Sequence, residues 1–340
     1  MDLNRTGPIL CFGEVLLRLS ASPGTRLSSA QNLEVHVGGA EANVGAALAA
    51  LGLDVEMVTA LPDGQLGDLC VAELRRAGLG THLIARGEGR LGTYFLEHGV
   101  PPRPAAIVYD RAGSLFSKSA DRFNWPSLAK QAGWFHLCGI NLPISTQGST
   151  GALAAVDAMK AGGVPVSFDV NHRASMWEGR AAKAAELEHL VMQSTDLLFA
   201  SPRDICRALG CDVSEATPQG RREAAEAAFD AFPSVQLIVS TRRDIQLDRT
   251  TTLTVRVENR ETSHETDPTP IGTVVDRIGT GDAMAGVVID AVLRGATIVE
   301  IAQLGVAAAV LKHGIAGDQW VGTAAELEAF HGKRQGDVLR

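Results

Sequence analysis

Aromatic residues make up only 5% of the chain, and it has just two tyrosines. No apolar run approaches the roughly 18 residues of a membrane span. The opening M-D-L-N-R-T-G-P-I-L-C-F-G-E holds too short an apolar core for a secretory leader, and Ile9 to Phe12 reads instead as a first buried strand. The five cysteines, Cys11, Cys70, Cys138, Cys206 and Cys211, are odd in number and include no C-x-x-C pair. That pattern argues for free thiols in a reducing cytoplasm rather than disulfides or a thiolate metal site. Positive charge is in deficit, with a formal net charge of −8, which argues against broad nucleic-acid or membrane binding. A small anionic substrate remains open, because it needs only a few local arginines. G-x-x-x-x-G-K-[ST], H-E-x-x-H and G-x-S-x-G are all missing. Gly279-x-Gly281 lacks the third glycine of a dinucleotide fingerprint and lies far from the first strand.

What is present is an ordinary globular composition of 340 residues, 45% hydrophobic, with 36 glycines. Strand and helix patterns alternate. Glu41 to Leu51 carries apolar residues at helical spacing and stops at Gly52. Val55 to Thr59 reads as strand and Asp68 to Arg76 as helix. Trp134 to Leu137, Val164 to Val170, Asp196 to Ala200 and Val235 to Ser240 read as strands. Thr150 to Lys160, Ala182 to Gln193 and Gly220 to Ala231 read as the intervening helices, and Val299 to Lys312 and Ala324 to Phe330 close the chain. Such alternation implies an α/β fold with a mainly parallel sheet covered on both faces, and ligands beyond the C-terminal strand ends. Segments 15–37 and 92–111 break the rhythm. Their strand-like runs, Leu16 to Ser20, Thr93 to Glu97 and Ala106 to Tyr109, suit a small antiparallel sheet standing off the main body, with Pro101-Pro102-Arg103-Pro104 as a turn.

Five constellations could carry chemistry. Thr273-Val274-Val275 reads as a strand, Gly279-Thr280-Gly281 as a turn, and D-A-M-A-G-V-V-I-D-A-V-L from Asp282 as a helix. A glycine turn entering a helix is an anion site, since the first-turn N–H groups lack partners and carry the positive end of the dipole. Asp282 there is either a helix cap or a chemical group. In Val37-Gly38-Gly39-Ala40-Glu41-Ala42-Asn43, the glycines permit close backbone approach and Asn43 could reach a bound hydroxyl. Tyr94, Tyr109 and Arg111 place an aromatic plate beside a guanidinium, which suits a sugar bearing a carboxylate. Ser167-Phe168-Asp169-Val170-Asn171-His172-Arg173 ends a strand in a polar cluster, with Asp169 and Asn171 on one face and Arg173 able to reach back. Ser201-Pro202-Arg203-Asp204 reads first as a helix start.

V-G-G-A-E-A-N-V-G-A-A-L-A-A-L-G and D-R-I-G-T-G-D-A-M-A-G resemble the two signature segments of the ribokinase-like (PfkB) carbohydrate kinases, in the right order near the two ends. G-T-Y-F at Tyr94, V-Y-D-R-A-G-S at Tyr109 and Arg111, F-H-L-C-G-I, D-V-N-H-R and L-K-H-G-I-A-G-D look most like the 2-keto-3-deoxygluconate kinases of that family. The resemblance implies one three-layer α/β/α domain over 1–340 with a small β-sheet lid from segments 15–37 and 92–111. It implies ATP and Mg²⁺, a homodimer or higher oligomer through the lid, and phosphorylation of a sugar acid at its 6-hydroxyl. Gly38, Gly39 and Asn43 would hold sugar hydroxyls. Tyr94, Tyr109, Arg111, Asp169 and Arg173 would bind the open-chain acid. Asp282 would be the general base, and the amides of Gly279, Thr280 and Gly281 would hold the transferring phosphate. Ser201 and Thr241 would face the nucleotide. Asp204 stands where an N-x-x-E motif helps position the metal. The family's T-x-G-x-x-G loop, which would face ATP, is here T-R-R-D-I-Q, from Thr241 to Gln246, without glycine. The alternatives from the residues are a neutral-sugar kinase of the fructokinase or ribokinase type, and a non-catalytic sugar-acid sensor.

Overall fold

The computed structural model describes residues 5–100, 103–245 and 250–331. Its strands in chain order are β1 (Ile9–Phe12), β2 (Leu16–Ser20), β3 (Glu34–Gly38), β4 (Val55–Pro62), β5 (Ile84–Gly87), β6 (Gly92–Glu97), β7 (Ala106–Asp110), β8 (Trp134–Cys138), β9 (Val166–Asp169), β10 (Leu197–Phe199), β11 (Leu237–Ile245), β12 (Thr251–Glu258), β13 (Ser263–Glu265) and β14 (Thr269–Ile271). Ten of them form one sheet in the order β13-β12-β11-β10-β9-β8-β1-β4-β5, with β14 pairing β12 off that path. From β11 to β5 every pairing is parallel, as the strand–helix alternation requires, and β11, β12, β13 and β14 pair antiparallel.

Side chains alternate across each strand, so β1 feeds two cores at once. Leu10 and Phe12 join Phe135, Phe168 and Trp125 beneath the helices Trp125–Gln131, Thr146–Ala161 and Ala181–Met192. Ile9 and Cys11 join Val44, Leu48, Leu74 and Ile289 beneath Ala40–Ala50, Gln65–Arg76 and Thr280–Leu293. The outcome is a helix–sheet–helix sandwich, the three-layer architecture that the family resemblance implied.

The two segments that broke the alternation build a separate four-stranded sheet, β3-β2-β6-β7. It is mixed rather than antiparallel, because β2 and β6 run parallel while their outer neighbours run antiparallel. The intervening chain from β4 to β5 belongs to the main sheet, so β6 returns in the same sense as β2. Pro101 and Pro102 lie outside the described residues.

Three other expectations change. Thr273 to Asp276 is not a strand. Val274 and Val275 are exposed, and the N–H groups of Val275 and Asp276 both donate to the carbonyl of His313, at 2.8 and 3.1 Å. β-branched residues favour a strand only where a pleated neighbour is available to pack on, and none lies here. The helix after the glycine turn begins at Thr280, two residues before Asp282, with Gly279 as its N-cap. Thr241 to Ile245 is the second half of β11, paired residue by residue with Thr251 to Val255, rather than a loop. Gln246 lies outside the described residues.

Candidate functional site

A cleft of about 460 Å³ opens between the C-terminal ends of β9, β10 and β11 and the small sheet. Asn43, Tyr94, Tyr109, Arg111, Asp169, Arg173, Ser201, Asp204, Thr241 and the Gly279–Asp282 turn all line it, as does Gly39. Gly38 alone of the expected residues does not line it. It sits behind the wall, where an added Cβ would fall 2.1 Å from Asp318 Oδ2.

Asp282 is the third residue of its helix and caps nothing, because the helix has no side-chain cap. Its Oδ2 instead accepts a 2.7 Å hydrogen bond from Asn43 Nδ2, across 239 residues of chain. The partners meet because the Ala40–Ala50 and Thr280–Leu293 helices touch. At Gly286 a Cβ would lie 2.6 Å from that of Ala47, so only glycine admits this approach. Burial lifts the Asp282 carboxyl to about 6, while the Asn43 amide and the Arg173 charge pull against that rise. A carboxylate so tuned is largely ionised at neutral pH yet basic enough to take a proton. Beside it Gly279 adopts φ +78°, a left-handed conformation that suits glycine, and packs against the Asp318 carbonyl. The turn leaves the first N–H groups of the helix without intrahelical acceptors, as an anion site requires.

On the small-sheet side Tyr94 and Tyr109 face each other across β6 and β7, with ring centroids 6.1 Å apart. The Arg111 guanidinium lies 5.9 Å from the Tyr109 ring. Arg111 is already paired: its Nε and Nη2 reach Glu14 Oε2 at 2.7 and 2.6 Å, and Ser114 binds the other Glu14 oxygen. Arg173 is exposed and has no ion pair among the described residues, although its charge lowers the carboxyls of both Asp169 and Asp282. Asp169 is lifted to about 7 by burial and by the Asp282 charge, and its Oδ1 accepts from Asn171 N–H at 3.0 Å. Asn171 itself sits at φ +40°.

At the opposite end Ser201 and Asp204 form a reciprocal capping box for the Pro202–Leu209 helix. Asp204 Oδ2 accepts from the Ser201 amide and hydroxyl at 2.9 and 2.6 Å, and Oδ1 accepts from Arg207 at 2.7 Å. A carboxylate with both oxygens committed is a poor direct metal ligand. No cluster of three His, Cys, Asp or Glu residues suited to a metal occurs among the described residues. That fits a Mg²⁺ held mainly by phosphate and water, the ion's usual preference, and does not fit an all-protein cage. Ser240, Thr241, the glycine turn and exposed Arg277 line the same cleft.

Four residues that matter here carried no role in the sequence reading. Glu14 neutralises Arg111. Asp318 lines the cleft and accepts from Tyr94 Oη at 2.7 Å. Arg18 and Asp276 are buried and paired at 2.8 Å. The signal for Arg18 was visible, a lone arginine inside the apolar run L-L-R-L-S. Its partners, 258 and 300 residues away, were not.

The sequence model of "pfkB family carbohydrate kinase" matches residues 8–319. A 2-dehydro-3-deoxygalactonokinase of Haloferax volcanii is 31% identical over 325 residues, covering 95% of this chain and 96% of that protein. The crystal structure of 2-dehydro-3-deoxygluconokinase from Thermotoga maritima superimposes with a TM-score of 0.90 at 34% identity, over 96% of this chain and 100% of that one. A structure described as a ribokinase II from E. coli, in complex with ATP and Mg²⁺, shares the fold at a TM-score of 0.81 and 19% identity, over 97% of this chain and 100% of that one.

Proposed function

The chain belongs to the pfkB family of carbohydrate kinases, and from that premise we propose that it is a single-domain sugar-acid kinase, moving the γ-phosphate of ATP to the 6-hydroxyl of 2-keto-3-deoxygluconate to give 2-keto-3-deoxy-6-phosphogluconate. The observation that carries this reading is Asp282. A carboxylate raised to about 6 is held by Asn43 at the edge of the glycine turn, in one cleft with a free guanidinium at Arg173.

The acceptor hydroxyl lies against Asp282, which takes its proton as the oxygen attacks phosphorus. The Gly279, Thr280 and Gly281 amides face the transferring phosphoryl group, where their fixed dipoles stabilise charge without reorganising. Asn43 holds Asp282 through Oδ2, which leaves Oδ1 for the acceptor hydroxyl. Arg173, together with the uncommitted Nη1 of Arg111, meets the substrate carboxylate, Tyr94 and Tyr109 wall the open chain, and Asp169 and Gly39 bracket its hydroxyls. Ser201 and Thr241 flank the nucleotide. Asp204 is the residue that would approach a Mg²⁺ ion through water, and the ion would supply neutralisation of phosphate charge. The small sheet acts as the lid. Val35, Ile107 and Val108 are exposed on its two edge strands, which supports pairing with a second copy. The free thiols and the lack, among the described residues, of any helix long and apolar enough to cross a membrane support a cytoplasmic enzyme.

One observation favours the neutral-sugar alternative: Arg111 already has its countercharge in Glu14. The deciding experiment is an ADP-release assay across 2-keto-3-deoxygluconate, its galacto epimer, fructose and ribose, run alongside binding with and without ATP. Sugar-acid turnover at least about tenfold above the neutral sugars in kcat/KM supports the reading, a difference of about 1.4 kcal/mol in transition-state binding. Preferred turnover of fructose or ribose refutes it in favour of the neutral-sugar kinase. Binding of the acid without ADP release refutes it in favour of a sensor.

A further inference from the structure

Arg18 is 1% exposed, in the middle of β2, on a sheet that otherwise covers the sugar end of the cleft. Its register partners are Tyr94 on β6 and His36 on β3. One planar guanidinium reaches two carboxylates that belong to different parts of the reaction. Nη2 donates to Asp276 Oδ2 at 2.8 Å, and Nη1 forms an ion pair with Asp318 Oδ1 at 3.1 Å without hydrogen-bond geometry.

Asp276 roots the phosphate turn. Its Oδ1 accepts from the Ile278 amide at 3.0 Å and its Oδ2 from the Gly317 amide at 3.1 Å, one residue before Gly279 and one before Asp318. Asp318 lines the sugar cleft, receives the Tyr94 hydroxyl on Oδ2, and presses its carbonyl against Gly279. Two carboxylates and one guanidinium leave a negative excess, and buried Lys312 offsets it. The Lys312 ammonium donates to the Ile315 and Gly317 carbonyls at 3.0 and 2.8 Å, in the same loop.

Such a buried set is costly to assemble, and replacing it by apolar packing is often neutral or stabilising. Stability alone therefore gives a weak reason for it, whereas geometry gives a strong one. Phosphoryl transfer depends on holding the acceptor oxygen in line with a fixed phosphate site, and displacements of about 1 Å cost about a hundredfold. The guanidinium is rigid, and its fork sets the spacing between the two groups it binds.

We propose that Arg18 is a positioning residue for phosphoryl transfer, fixing Asp318 in the sugar pocket and Asp276 at the root of the phosphate turn so that acceptor and phosphate keep one separation. This rests on the kinase reading but not on which sugar is the acceptor. The Asp318 arm acts on sugar binding, and the Asp276 arm acts on turnover.

The test is a double-mutant cycle of Arg18→Met and Asp318→Asn in the full chain, assayed by ADP release with the sugar that wild type turns over best. Arg18→Met is expected to raise KM for the sugar about tenfold and lower kcat about a hundredfold, with KM for ATP within about twofold. In the Asp318→Asn background the same change is expected to move sugar KM by less than about twofold while still lowering kcat. Independent multiplication of the two KM effects overturns the proposal. So does a lower active fraction with unchanged sugar KM, which is what a purely structural arginine would give. If Arg18→Met does not fold, Arg18→Lys, which keeps the charge but cannot span both carboxylates, is carried through the same cycle with the same criteria. Wild type that turns over none of the sugars refutes the kinase reading itself, whereas an active wild type with an additive cycle refutes only the role of Arg18.

Discussion

Replacing Asp282 by Asn keeps the size of the side chain and removes the base. Burial has raised its carboxyl from 3.8 to about 6, and the Asn43 amide donates to it at 2.7 Å. At about pH 7 such a group is roughly nine-tenths ionised, and at about pH 5 roughly one-tenth, so wild-type kcat/KM should climb through about pH 6 and then level. A positioned base contributes about 100- to 10,000-fold, or about 3–5 kcal/mol of barrier. The Asp282→Asn variant should lose turnover in that range, lose the acid limb, and still bind ATP, because the turn amides are untouched. The same substitution should stabilise the fold. A carboxyl whose folded pKa lies above its unfolded value is stabilising while protonated, and that advantage is lost as pH rises from about 4 through about 6. At about pH 7 the ionised form therefore carries a penalty of about 1–3 kcal/mol, reduced by partial solvent access, and the neutral amide carries none. Turnover by ADP release, ATP affinity by calorimetry and thermal melts at about pH 7 and about pH 4.5 check all three. Loss of less than about tenfold in kcat, or a variant that melts below wild type at neutral pH, refutes the assignment of Asp282 as a base raised by desolvation.

Arg173→Ala should raise KM for a sugar acid about 10- to 100-fold with little change for a neutral sugar, and should leave the melting temperature near wild type because the side chain is exposed. Arg111→Ala should also raise sugar-acid KM more than neutral-sugar KM, but it strands Glu14 and should destabilise by about 3–5 kcal/mol in a denaturant titration. Glu41, held near 8 mainly by burial, is protonated at neutral pH while its Oε1 accepts from Cys138 N–H and Asn141 at 2.8 Å each. Its stabilising protonated form is lost as pH rises from about 4.5 through about 8, so Glu41→Gln should be more stable than wild type by about 1–3 kcal/mol at neutral pH, and the gap should close toward about pH 4.5. Gly279→Ala places a Cβ at φ +78° and 1.8 Å from the Asp318 carbonyl, so turnover should fall at least about tenfold, together with a lower melting temperature.

Six of the main sheet's seven parallel strands and its longer helices were legible from local pattern, whereas Ile84–Gly87 was not. Ile9 to Phe12 is a continuous apolar run, and Val55 to Thr59 and Trp134 to Leu137 are mostly apolar, because parallel strands are buried on both faces, and Glu41 to Leu51 carries its stripe at helical spacing. The glycine turn with Asp282 and the Tyr109/Arg111 pair were legible because close neighbours in sequence create them. The same local signals misread Thr273 to Asp276, where β-branched residues found no strand to pair with, and passed over Thr251 to Glu258, which zips antiparallel onto Ile238 to Ile245.

Sequence by itself thus determined the α/β class, the order of most parallel strands and longer helices, and the chemistry of single groups, since these follow from hydrophobic period, turn residues and side-chain type. Only the tertiary structure decided which groups are free. It placed Glu14 on Arg111 and left Arg173 exposed, drew Asn43 to Asp282 through the close helix contact at Gly286, and joined Arg18 to Asp276 and Asp318. Burial and pairing set a group's charge and basicity. Both depend on neighbours hundreds of residues away, which no local window contains.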